Sequence, residues 1–132
     1  MWRQKTTPPG GHAAVYDAFM WPFERAVLGA WRRRLGMRAA GRVLEIGAGT
    51  GSQLRWYAPG VVVTALEPDS VMAARARPRA RRARAPVEMV IGSAEELPCA
   101  AASFDTVVFT FAFCSMDDPV KVLGEVRRVL MP

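Results

Sequence analysis

Apolar residues fall in short continuous runs separated by glycine, proline and charge. Four runs have strand length: residues 42–46, "VVVTALE" at 61–67, "VEMVI" at 87–91 and "FDTVVFTFAF" at 104–113. The continuous apolar run at 61–67 predicts a strand covered on both faces. Helix-length segments separate or flank them at 13–35, 50–57, 69–84 and 119–130. In the first, Val15, Phe19, Ala26, Trp31 and Leu35 fall near one face, which predicts packing on the domain. Pro22 predicts a break into two helices, and Pro78 a disturbance in the third segment. Strands alternating with helices predict parallel pairing and a layered α/β fold. Right-handed crossovers leave few topologies, and ligands in such sheets bind outside the carboxyl ends of the strands. Residues 1–12, polar and broken by Pro and Gly, predict a flexible tail before one domain at 13–132. No internal repeat is present.

Composition narrows the class. The chain has 132 residues, one domain's worth, and 51% of them are apolar, enough for a real core. The net charge of +6 would suit nucleic acid, anionic lipid or an acidic partner. The arginines fall in Ala/Arg-rich stretches, however, so a solvated surface is the simpler reading. "WRRRL" beside Trp21, Phe23 and Trp31 reads as a helix packed on its own domain with its arginines in water, or, because arginine mixed with aromatics suits it, as peripheral contact with a membrane surface. Cys99 and Cys114 lie far apart and predict neither a disulfide nor a metal site. His12 stands alone in a glycine-rich lead-in. No run of about 18 apolar residues predicts a membrane span. The amino terminus does not read as a secretory leader, so a cytoplasmic setting is the expectation.

The chemistry concentrates in "VLEIGAGTGSQL", 43–54. Gly47, Gly49 and Gly51 are spaced G-x-G-x-G, whereas the dinucleotide fingerprint is G-x-G-x-x-G, and Ser52 follows Gly51 here. That spacing opposes a nicotinamide-dependent oxidoreductase. No Gly-Lys-Ser/Thr follows, so the loop is not a P-loop. Glycines here allow close approach of a ligand, and the first amides of a following helix would bind an anion. Glu45, at the end of the first strand, would repel a pyrophosphate and suit a cationic amine. Glu67 ends the second strand, twenty residues after Gly47, where a carboxylate can accept from ribose hydroxyls. A ribose plus a zwitterionic amino acid tail describes S-adenosylmethionine.

"VLEIGAGTGSQL", "VTALEPD", "GSAEELP", "FDTVV" and "EVRRVLMP" resemble, in order and spacing, the class I S-adenosylmethionine-dependent methyltransferases, of the methyltransferase type 11 kind. "YAPGVVVTALEPD" and "TFAFCSMDDPVKVLGEVRRVL" are most similar to the methyltransferase-like thiol methyltransferases and their bacterial relatives, and less so to quinone and phospholipid methyltransferases. The resemblance implies a three-layer Rossmann-like fold with strand order 3-2-1-4. It implies that Glu45 faces the methionine amino group through water, that Gly47, Ala48 and Gly49 let the cofactor approach, and that Gly51 starts a helix. Glu67 would hold the ribose, Pro68 would lie beside the adenine, and Ser93, Ala94 and Glu95 would contact the adenine edge. Phe111 would wall the methionyl side, with Cys114 near the reacting end as a small apolar wall. Position 93 is often Asp in these enzymes; an uncharged Ser93 makes a weaker contact.

The implied acceptor is a small apolar or lipid-like molecule, a thiol among the candidates. "TFAFCSM" lacks the loop of exocyclic base-amine methyltransferases, so no nucleic acid partner is expected. No catalytic base can be named; Tyr16 and Asp17 could line the acceptor mouth or simply pack. The resemblance also implies strands beyond "RVLMP". Without them the fourth strand would be an open edge, prone to self-association. The alternative is therefore a chain that binds the cofactor without turnover, or pairs with another chain.

Overall fold

A computed structural model describes residues 11–110 and 116–132. Four parallel strands, β1 (Arg42–Ile46), β2 (Val62–Glu67), β3 (Val87–Ile91) and β4 (Thr106–Phe109), form one sheet in the order β3-β2-β1-β4. This is the order expected, and the fold is the Rossmann-like α/β type. Register is continuous: Val43 pairs with Val63 and with Thr106, and Val63 pairs with Val87.

Alternation along β1 divides the core. Val43 joins Val63, Ala65, Val108, Leu54 and Tyr57 on one face. Leu44 and Ile46 join Leu66, Phe104 and, from α4 (Pro119–Val129), Val122 and Val129 on the other. Both faces of the central strands β1 and β2 are covered, so these strands are apolar on both sides, whereas β3 is half-exposed.

Helix α3 (Ser70–Arg82) runs through Pro78 without ending, contrary to the disturbance expected there. Its buried positions Ala73 and Ala76 fit closely against the domain, and tertiary packing outweighs the hydrogen bond that proline removes. At the amino-terminal end, α1 (Gly11–Phe23) begins two residues inside the expected tail. As expected from Pro22, the segment divides into two α-helices, α1 ending at Phe23 and α2 (Gly29–Arg38), joined by a π-helical segment, Glu24–Leu28. Such segments commonly absorb a local irregularity in a helix.

The expected inward face of this region is wrong. Val15, Phe19, Trp31 and Leu35 are exposed; Phe19 at 80% is far too open to be core. The buried stripe is Leu28, Arg32, Gly36 and Ala39. A Cβ on Gly36 would stand 2.2 Å from the Trp56 carbonyl oxygen, so this stripe is set by close approach of α2 rather than by large apolar side chains.

The outer edge of β4 is partly occupied. Phe104 bridges Leu130 in parallel, Phe104 N donates to the Val129 carbonyl, and Met131 N donates to the Phe104 carbonyl. The regular strand is also shorter than the 104–113 run, although residues 111–115 lie outside the described set. Among the described residues no helix is long and apolar enough to cross a membrane.

Candidate functional site

The parallel pairing of β1 with β2 brings their carboxyl ends together, and the glycine loop crosses that edge. The amides of Gly47 and Ala48 both donate to the Leu66 carbonyl, at 2.9 and 3.0 Å. Gly47, Gly49 and Gly51 all have positive φ, of 73°, 58° and 84°.

Glu67 ties this loop to the next helix. Its Oε2 accepts from Gly49 N at 2.8 Å and its Oε1 from Asp69 N at 3.0 Å. Asp69 in turn caps α3, its Oδ1 accepting from Val71 N and Met72 N. Further along α3, Arg79 donates to the Thr50 carbonyl at 2.7 Å. Burial pushes the Glu67 carboxyl up from its ordinary value, and the two amide bonds oppose that shift. Each carboxylate oxygen can accept more than one hydrogen bond, so Glu67 retains acceptor capacity beyond these two amides.

The helix expected at 50–57 is absent. Gly51 N to Ala48 O, Leu54 N to Gly51 O and Trp56 N to Gln53 O are three-residue turns, and only Leu54–Trp56 forms a short 3₁₀ helix. Gly51 therefore does not start the expected helix. Its role is spacing: a Cβ there would meet Leu54 Cδ1 at 3.0 Å and Ala76 Cβ at 3.1 Å. Gly49 differs, because the nearest atom to its Cβ position is Met72 Cε at 3.8 Å. The fold itself leaves room at Gly49 and none at Gly51.

Glu45 is fully buried between β1 and the amino-terminal helices. Its Oε2 accepts from the Tyr57 hydroxyl at 3.0 Å and its Oε1 from the Thr110 hydroxyl at 3.2 Å. Burial raises its pKa to about 7; the Tyr57 and Thr110 hydrogen bonds and the charge of buried Arg32 lower it. The same burial, with the Glu45 charge, pushes the Tyr57 phenol up. Tyr57, Thr110 and Arg32 had no distinguishing sequence signal. Arg32 sits in a run that reads as solvated, and Tyr57 in a turn.

The third loop, after β3, is held from α4. Glu125 Oε2 accepts from Leu97 N at 2.7 Å, while Arg128 donates to Glu125 and to the carbonyls of Cys99 and Leu97. The Arg128 hydrogen bond is the main reason the Glu125 carboxyl falls to about 2. Within this loop Ser93 Oγ accepts from Glu95 N, and Ala94 is buried. Glu95 is buried too and accepts from Asp118 N at 3.2 Å, which directs it toward the start of α4. Pro68 is half-buried between Glu67 and Asp69. Phe111 and Cys114, and the side chains of His12, Tyr16 and Asp17, lie outside the described residues. Among the described residues no group of three or more His, Cys, Asp or Glu could hold a metal ion.

Residues 44–132 match the methyltransferase domain family. The human thiol S-methyltransferase TMT1B is 37% identical over 99 residues, 71% of this chain and 41% of that protein. A demethylmenaquinone methyltransferase from Renibacterium salmoninarum is 35% identical over 107 residues, 77% of this chain and 44% of that protein. A structure described as a SAM-dependent methyltransferase from Thermotoga maritima is 29% identical, covering 89% of this chain and 56% of that one, with a TM-score of 0.64. The chain thus spans less than half the length of these two curated relatives.

Two outcomes follow from the loop and from Glu45. Alanine at position 49 or 51 meets the same left-handed backbone cost, of order 1–2 kcal/mol, but Gly51→Ala adds overpacking against Leu54 and Ala76 of about 1–3 kcal/mol. Urea denaturation is expected to show Gly51→Ala as clearly the less stable variant; equal losses would contradict the spacing role. Because the folded-state pKa of Glu45 lies near 7 rather than 4.5, the native state holds the extra proton between those values. Its contribution to stability is lost as pH rises through that window. Glu45→Gln, which mimics the protonated form, is expected to flatten stability against pH between about 4.5 and 7; an unchanged slope would show that Glu45 titrates normally.

Proposed function

Because the chain belongs to the methyltransferase domain family, we propose that it forms the cofactor-binding part of an S-adenosylmethionine-dependent methyltransferase with a small apolar or lipid-like acceptor. The observation that carries this reading is Glu67, which is fixed by two backbone amides at the edge of the glycine loop and keeps acceptor capacity for ribose hydroxyls. The donor set fits the cofactor. Around Gly49 no fold atom lies closer to a Cβ position than 3.8 Å, so backbone approach there is unobstructed by the domain.

In this reading Gly47, Ala48 and Gly49 present backbone to the methionine portion, and Gly51 holds the loop against α3. Glu67 takes the ribose and Pro68 borders the adenine. Ser93 takes the adenine edge, with Ala94 as backbone support. Glu95, which accepts from Asp118 N, holds the loop at the adenine edge. Glu45 sits beneath the methionine amino group and favours its positive charge when ionised. The family resemblance assigns Phe111, outside the described residues, to the methionyl side. When bound, S-adenosylmethionine supplies a methyl carbon activated by a sulfonium. The chain's task is to orient that group and exclude water.

A thiol acceptor is supported by the likeness to a thiol S-methyltransferase, and a quinone by the likeness to a demethylmenaquinone methyltransferase. A thiol must attack as thiolate. Exposed Phe19, Trp21 and Trp31 beside arginines support peripheral contact with an anionic membrane from a cytoplasmic setting. The part of the β4 edge beyond the Phe104–Leu130 bridge supports self-association.

Calorimetric titration with S-adenosylhomocysteine tests the cofactor site. Wild type is expected to bind one equivalent, and Glu67→Gln, which replaces one acceptor oxygen by a donor, to bind at least about tenfold more weakly. Circular dichroism confirms that both are folded. A folded wild type that does not bind would overturn the assignment. Binding without methyl transfer to a test thiol would favour the second reading, cofactor binding without turnover.

A further inference from the structure

A second cavity lies away from the glycine loop, near the amino ends of the strands. Trp56 is followed closely by the turn that enters β2, and Arg84 lies between α3 and β3. The cavity, of about 680 Å³, is lined among the described residues by Trp21, Arg25, Arg33, Arg55, Trp56 and Arg84, with Gly29 and Ala30. That volume falls within the range of small-molecule sites. Among the described residues four guanidiniums and no carboxylate line it.

Like charges gathered without a counter-charge are unfavourable unless something else is gained. Two of these arginines are held by stacking instead. Arg55 lies over the Trp56 ring at 4.5 Å and Arg25 over the Trp21 ring at 5.1 Å. Stacking engages the guanidinium face and leaves its N–H edge free to meet an anion bidentately. The indole N–H of Trp56 is shielded from solvent and has no hydrogen-bond acceptor among the described residues. Arg25, Arg33, Arg55 and Arg84 thus line one concave space, and among the described residues no hydrogen bond or ion pair occupies their N–H edges.

We propose that this cavity is an anion site that takes a phosphate-bearing group, separate from the glycine loop. Fork-shaped guanidiniums match phosphate oxygens in geometry and charge, and the indoles border the non-ionic part of the ligand. The phosphate comes either from a soluble compound or from a lipid headgroup. The site does not depend on the methyltransferase reading.

The test uses two probes at low ionic strength: pyrophosphate by calorimetry, and vesicles of phosphatidylglycerol against phosphatidylcholine by co-sedimentation. The Arg55→Gln/Arg84→Gln double variant is compared with Arg38→Gln/Arg127→Gln, which removes two exposed arginines outside the cavity. The cavity variant is expected to lose about tenfold or more in affinity, and the control less than about twofold. Pyrophosphate binding with this pattern assigns a soluble ligand. The same pattern confined to phosphatidylglycerol assigns a headgroup. Binding of neither probe, or equal loss in the control, would overturn the proposal. Retained S-adenosylhomocysteine binding by the cavity variant would show that its fold and the glycine-loop site are intact.

Discussion

The carboxylate of Glu67 organises the carboxyl edge of the sheet. It lies at the end of β2, where two backbone amides from different segments, Gly49 and Asp69, donate to its two oxygens. Hydrogen bonds to a charged group are worth about 1.5–3 kcal/mol each, so the pair offsets much of the cost of burying a carboxylate. The glycine loop after β1 and the cap of α3 therefore share one side chain. Moving that side chain would release both, and the loop has no helix of its own to hold it.

Beneath the loop, Glu45 is held by a different balance. It is enclosed by β1, Tyr57, Thr110 and the Arg32 side of α2, and its two hydroxyl donors do not fully replace water. Burial therefore raises its pKa well above that of a surface carboxylate. Tight packing of α2 through Gly36 keeps Arg32 and the Glu45 chamber closed.

The sheet was legible because its central strands β1 and β2 are covered on both faces and so are rich in apolar residues. Glycine at 47, 49 and 51 and an acid at 67 were legible because their backbone conformations and position restrict which residues can stand there. What escaped the sequence depends on packing across elements. Val15, Phe19, Trp31 and Leu35 follow a helical period, yet the buried stripe is Leu28, Arg32, Gly36 and Ala39, chosen by a backbone approach that no hydropathy pattern records. The segment 50–57 has helix length, but successive three-residue turns fold it back toward β2. Glu95 matches the family motif, while its partner, Asp118 N, is 23 residues away and visible only in three dimensions.

The most direct measurement is a two-dimensional ¹⁵N NMR titration of the labelled chain with S-adenosylhomocysteine. If Glu67 is the hinge between loop, helix and ligand, the largest amide shifts fall at Gly49 and Asp69, and the amides of Trp56 and Arg84 stay nearly still. Saturable binding that leaves Gly49 and Asp69 unmoved would place the ligand elsewhere and contradict the central role of Glu67.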